Sequence, residues 1–119
     1  MQKSAGRSHA LSFINELMTC LETRQGAEIR LEPGCPPMII EHGNLVNLSN
    51  TPIQSDQLME IAASIVPDAL RQSFAEKNVC NFEHFPFGAR PHLNYKFIVT
   101  LLFRSQTLPV SIIVCRTQP

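Results

Sequence analysis

Two cysteines and three histidines are the residues of this sequence best suited to metal binding. Cys80 and His84 are four positions apart, and such positions face the same side of a β-strand. The other donors, Cys35, His42 and His92, are scattered. Structural zinc sites usually take their ligands in close pairs, and cysteines also serve as small apolar core residues. We therefore expect no metal and no other cofactor.

The remaining reactive residues form no recognisable catalytic constellation. The 119 residues contain no G-x-x-x-x-G-K-[ST] motif, which cradles nucleotide phosphates in P-loop ATPases. No cysteine has a basic cluster beside it that would activate a thiolate. Glu28, Glu32 and Glu41 are accounted for by solvated strand faces, and spacing alone does not pair two of them for acid–base catalysis. We expect the chain not to be an enzyme.

Composition argues against several classes of partner. Basic and acidic side chains are equal in number, ten of each, and the basic ones form no run, so nucleic acid and anionic membranes are poor partners. No stretch approaches the roughly 20 apolar residues of a membrane span, and none has the pattern of a signal peptide. We expect a cytoplasmic protein with reduced thiols and no direct membrane insertion.

Hydrophobic spacing and turn residues place the elements of the first half. An apolar stripe predicts a helix from about Ser8 to Arg24, preceded by flexible residues 1–8. Alternation and apolar runs then predict three short strands at 27–31, 38–41 and 45–48, the last two joined by a hairpin turn at 42–44.

The second half is predicted to contain two helices and three more strands. One helix begins near Ser55 and Asp56, and a second follows Pro67–Asp68 and covers 69–77. Strands are predicted at 79–85, 93–104 and 110–116. The order α-βββ-αα-βββ is typical of a single α+β domain over residues 1–119, with helices packed on one face of an antiparallel sheet of about six strands.

Short motifs in this order resemble the amino-terminal domain of PilT-type pilus-retraction and secretion ATPases. The resemblance covers the chain from about Leu11 onward. It is carried by the strand Ala27-Glu28-Ile29-Arg30-Leu31, the turn Gly34-Cys35-Pro36-Pro37-Met38, the hairpin residues His42-Gly43, the helix Leu70-Arg71-Gln72-Ser73-Phe74, the strand Asn81-Phe82-Glu83 and the final Val114-Cys115-Arg116-Thr117-Gln118-Pro119.

The resemblance implies a PAS-like fold and a role in type IV pilus function (twitching motility) or in secretion. The family's nucleotide-hydrolysing domain would follow near residue 119, so we expect a non-catalytic interaction or regulatory module. It would bind a motor ATPase, a component of the pilus machinery or itself. Two alternatives stay open, a PAS-like sensor of a small ligand and a truncated remnant without an activity of its own.

The most apolar stretch suggests where a protein partner would bind. Residues 97–103 are apolar on both faces, and either the chain's own helices or a partner must cover the second face. Each such side chain left in water forgoes roughly 1.5–3 kcal/mol. The candidate partner interface, for a homo-oligomer or another protein, consists of Phe97, Ile98, Val99, Leu102 and Ile113.

A proline-rich turn is a second candidate for docking. Prolines fix φ and hold a loop in one conformation. The turn formed by Pro33, Gly34, Pro36 and Pro37 would therefore lose little conformational entropy on binding a partner. The same residues would also make a purely structural corner between two strands.

Overall fold

Among the residues that the structure describes, six antiparallel strands form one sheet, and three helices pack on one of its faces. The computed structural model describes residues 2–22, 24, 26–84, 97–105 and 108–116. The elements in chain order are α1 (Gln2–Thr19), β1 (Glu28–Leu31), β2 (Met38–Glu41), β3 (Asn44–Asn47), α2 (Ser55–Ile65), a 3₁₀ turn (Asp68–Leu70), α3 (Arg71–Lys77), β4 (Val79–His84), β5 (Phe97–Ser105) and β6 (Leu108–Arg116). This order confirms the predicted α+β class.

The first helix differs from its prediction at both ends. It begins at Gln2 rather than near Ser8, because its first turns are polar and give no apolar periodicity to detect. It ends at Thr19, after which Cys20 and Leu21 donate to carbonyls three residues back, at 3.0 and 2.9 Å, and tighten the chain into a turn. The predicted stripe nevertheless enters the core through Ile14, Met18 and Leu21.

The other two helices follow the predicted pattern closely. The backbone N–H of Gln54 donates to Oε1 of Gln57 at 2.8 Å, which caps α2 one residue before the predicted start. The apolar stripe of α2 is buried as expected, at Leu58, Ile61, Ala62 and Ile65. The α3 helix ends at Lys77 and is capped by Asn78, whose φ of 60° is left-handed. Its Phe74 meets Phe103 of β5 edge to face, with ring centroids 5.0 Å apart.

The sheet has the order β3-β2-β1-β6-β5-β4. The first and last strands of the chain therefore lie side by side at its centre, with Ile29 opposite Val114 and Leu31 opposite Ile112. Residues of β1, β2, β4, β5 and β6 that face the helices are buried in one core, whereas β3 is exposed along its whole length. The buried residues include Ile29, Leu31, Ile39, Cys80, Phe82, Leu101, Ile112 and Val114.

The strand ends show where the turns differ from expectation. β2 and β3 are joined by two residues, His42 and Gly43, with φ of 53° and 80°, the positive values that a tight hairpin turn requires. β6 begins two residues before its predicted start. The predicted beginning of β5, at 93–96, and the connection at 86–91 lie outside the described residues.

Candidate interaction surface

One face of β5 packs against the helices and the other does not, so the residues of the predicted interface lie on two different faces of the sheet. Phe97 and Val99 face the helices and are 2% and 0% exposed, so they belong to the core. A partner on the opposite face cannot reach them. Tight helix-side packing therefore removes these two residues from the candidate interface.

Ile98, Leu102 and Ile113 lie on the opposite face, which we call the outer face. Ladder pairing places Cys115 opposite Ile98, and Thr100 of β5 opposite Ile113, so the apolar side chains form one patch over β5 and β6. We call Ile98, Leu102, Ile113 and Cys115 the outer patch. All four are half-buried and none joins the core cluster. Among the described residues, the helices cover the other face.

A charged pair borders the outer patch on β1. Glu28 and Arg30 lie opposite Cys115 and Ile113, and Nη2 of Arg30 is 2.8 Å from Oε2 of Glu28. The two charges are two residues apart on one strand, so their side chains face the same side of the sheet. The pair keeps this part of the surface polar without giving it a net charge.

Two polar atoms on this face are buried without a hydrogen-bond partner among the described residues. They are Nε of Arg30 and Oγ of Ser111, and Ser111 is only 4% exposed. The Cys115 thiol has its pKa raised by burial and further by Glu28, while Arg30 lowers it. A raised pKa leaves less of the Cys115 thiol ionised and makes it a weaker nucleophile, so the arrangement suits packing rather than covalent chemistry.

Two backbone hydrogen bonds hold the proline-rich turn in position. The N–H of Gly34 donates to the carbonyl of Ile53 at 2.7 Å, and the N–H of Ile53 donates to the carbonyl of Cys35 at 2.9 Å. Pro37 is buried, whereas Gly34 is exposed and has a φ of 80°. Both bonds tie the turn to the segment leading into α2, so the corner has a structural role. Docking at this turn stays a prediction.

Known proteins resemble this chain in sequence and in fold. No family model matches the chain. Type IV pilus ATPase PilU of Pseudomonas aeruginosa is 25% identical over 67 residues, which are 56% of this chain and 18% of PilU. The pilus retraction motor PilT, solved with bound ADP, superposes with a TM-score of 0.66 and 19% identity over 89% of this chain. The Legionella pneumophila ATPase DotB gives a TM-score of 0.62 and 18% identity over 92%.

The chain has the fold of the amino-terminal domain of PilT-type ATPases. It spans 29% of the PilT chain and 29% of the DotB chain, so it corresponds to a minor part of each motor. The resemblance read from the short motifs is thereby confirmed at the level of the domain.

Metal-binding residues do not converge in the described part of this domain. No group of three His, Cys, Asp or Glu side chains among the described residues could hold an ion. Cys80 is buried in the core, and burial raises the pKa of its thiol. The side chain of His84 and all of His92 lie outside the described residues.

None of the helices described here is long and apolar enough to cross a bilayer.

Two grooves lie on the helical side of the domain. One, of about 290 Å³, is bordered by His9, Ala10, Phe13, Ile53, Gln57, Glu60 and Ile61. The other, of about 250 Å³, runs between α2, α3 and β5 and is bordered by Met59, Ala62, Ala63, Val66, Arg71, Phe74 and Phe103. Both are open to solvent. The space between sheet and helices, where a sensor would hold its ligand, contains fully buried side chains such as Met18, Leu58 and Phe97.

Proposed function

We propose that this chain is a non-catalytic interaction module of the cytoplasm, which binds a PilT-type pilus or secretion ATPase through its outer patch. The observation that carries the proposal is the outer face itself. A domain with the fold of a motor's amino-terminal part presents half-buried Ile98, Leu102 and Ile113 on the side of the sheet away from the described helices.

The composition of this face supports a protein partner. Interfaces combine an apolar centre with a polar rim, and charged residues are depleted at the centre. Here the outer patch is apolar, and Glu28 and Arg30 neutralise each other at its border. The outer patch and its border therefore offer no excess positive charge that would attract nucleic acid or an anionic membrane.

The relation to the motors supports a regulatory rather than a catalytic role. The relatives are ATPases by name, and the chain matches less than a third of their length. Its 119 residues contain no P-loop motif. A separate copy of the domain would compete for the contacts that the corresponding domain makes within a motor, and would change the rate of ATP hydrolysis.

The test is a binding measurement with surface variants. Purified protein is immobilised, and binding of a PilT-type ATPase from the same organism is followed by biolayer interferometry. The double substitution Ile98→Lys and Leu102→Lys places two ammonium groups in the outer patch and should abolish binding. The matched control Leu45→Lys alters an equally apolar, 55% exposed side chain on β3, four strands away from β5 in the sheet, and should bind normally.

Each outcome is informative when the variants keep the far-UV circular dichroism of the wild type. Loss of binding in the double variant alone, with a changed ATPase rate for the wild-type mixture, supports the proposal. Equal binding by all three proteins would move the contact to another surface, such as the proline-rich turn. No binding and no effect on hydrolysis by the wild type would overturn the proposed function.

A further inference from the structure

In the described part of the chain, strand β3 at the end of the sheet has an unpaired hydrogen-bonding edge. It pairs with β2 on one side and is the terminal strand of the sheet among the described residues. The N–H of Leu48 donates to the carbonyl of Pro37 at 2.8 Å. Pairs alternate between bonded and non-bonded along an antiparallel ladder, so Val46 and Asn44 also bond toward β2. The N–H and C=O groups of Leu45 and Asn47 therefore point outward.

This edge lacks the features that keep a strand from pairing with another chain. Natural edges are blunted by charges, prolines or bulges. β3 reads Asn-Leu-Val-Asn, with no charge and no proline, and Leu45 and Val46 are 55% and 54% exposed. The opposite edge, β4, carries the charged residue Glu83, one of the features that blunt an edge.

We propose that β3 pairs antiparallel with β3 of a second copy of this chain, on a two-fold axis at Val46. In this register Leu45 of each copy lies opposite Asn47 of the other. All the outward backbone groups then find partners. The N–H of Leu45 donates to the C=O of Asn47 in the other copy, and the N–H of that Asn47 donates to the C=O of Leu45. The two-fold axis repeats this pair of bonds. Moving the axis by one residue would require Gly43 of the turn or Ser49 beyond the strand to replace one of these partners.

The pairing extends the six-stranded sheet into one of twelve strands across two copies. The two Val46 side chains become a non-hydrogen-bonded pair, the closer of the two kinds. A contact between two four-residue strands is small, and interfaces below about 1,200 Å² are weak and transient. The dimer therefore forms at high protein concentration or where copies are held together. It does not depend on the proposed function, because it uses a different edge of the molecule.

Disulfide trapping tests the contact and its register together. In the proposed pairing the two Val46 Cα atoms are about 4.5 Å apart, within the range that a disulfide bridges. Val46→Cys should give a covalent dimer under mild oxidation. In the same pairing, the two copies of position 45 are offset along the strands by two residues, and the two copies of position 44 by four. The Cα atoms of Leu45→Cys and of Asn44→Cys are therefore farther apart than the roughly 7 Å that a disulfide can span. Wild-type protein, with its four free cysteines, measures the background.

The expected pattern is a dimer band for Val46→Cys alone and a background band for the other two variants. Sedimentation equilibrium of the uncrosslinked protein should show a monomer–dimer equilibrium that Val46→Lys weakens about tenfold, because two like charges then face each other across the strands. Leu108→Lys should leave it unchanged. A strict monomer without a Val46→Cys dimer, or a dimer trapped equally at Leu45 or Asn44, would overturn the proposal.

Discussion

Neighbouring residues of β5 offer a direct test of which face of the sheet is free. Val99 points into the core and is fully buried, whereas Ile98, the preceding residue, lies in the outer patch and is half-buried. Replacing each by lysine introduces the same group at two places one residue apart. The outcomes should differ because only one of the two ammonium groups can reach water.

The magnitudes follow from the burial. Val99→Lys forfeits roughly 1.5–3 kcal/mol of apolar burial, and confining an unpaired charge in the core adds several kcal/mol more. Since small domains are stable by only about 5–15 kcal/mol, this variant should be largely unfolded. Ile98→Lys gives up about 1 kcal/mol, because the side chain is half-buried already and its stem can stay on the sheet while the ammonium is hydrated. That loss lowers the melting temperature by about 4–8 °C.

The assay is thermal and urea unfolding followed by far-UV circular dichroism, with Val99→Ala and Ile98→Ala as uncharged comparisons. The alanine at Val99 should be the more destabilising of those two. If Ile98→Lys unfolds the protein as Val99→Lys does, the chain itself covers the outer face and the reasoning behind the outer patch fails. A folded Val99→Lys would show that β5 presents its faces the other way round.

Three further predictions concern the packing, the thiol and the hairpin. Substituting Phe74 and Phe103 by leucine singly and together should give a coupling energy of about 0.5–1.5 kcal/mol in a double-mutant cycle of urea unfolding, because the rings meet edge to face; additive losses would deny the contact. Glu28→Gln should lower the pKa of Cys115 and speed its alkylation at mildly alkaline pH, measured by peptide mass spectrometry, because the carboxylate raises that pKa; an unchanged rate would exclude its influence. Gly43→Ala should destabilise the fold by about 1–2 kcal/mol through its left-handed φ, although a Cβ there meets no atom within 4 Å, and Gly43→Asn should cost less; equal losses would argue against backbone strain.

Local patterns were sufficient to predict the elements of this fold. The i, i+3, i+4 spacing of Leu58, Ile61, Ala62 and Ile65 identified α2, and all four are buried. Positions Met38–Glu41 were predicted as a strand with the observed limits. The start of α1 was missed because residues 2–8 give no apolar periodicity, so the helix that continues through them leaves no signal in the hydrophobic pattern.

The candidate surface was harder to predict because it depends on long-range pairing. Residues 97–103 are apolar at every position except Thr100, and a strand with two apolar faces does not reveal which parity meets the helices. Phe97 and Val99 were therefore grouped with Ile98, and only the registry of β5 with β6 separates them. The open edge of β3 likewise follows from the sheet order, which no local pattern contains.

The central position of β6 determines when the sheet can form. β1 and β6 are neighbours, yet about 80 residues of chain separate them, and the Arg116 side chain also donates to the carbonyl of Glu22. During synthesis the β1–β2–β3 segment and α2 emerge long before the strand that joins them to β4 and β5. Until β6 inserts, Ile29 and Leu31 have no neighbour on that side, and both half-sheets expose edges to other chains. Folding of this domain should therefore complete in one late step, and a chain stalled within β6 should be held as an unjoined three-stranded β1–β2–β3 unit and β4–β5 pair rather than as a smaller stable domain.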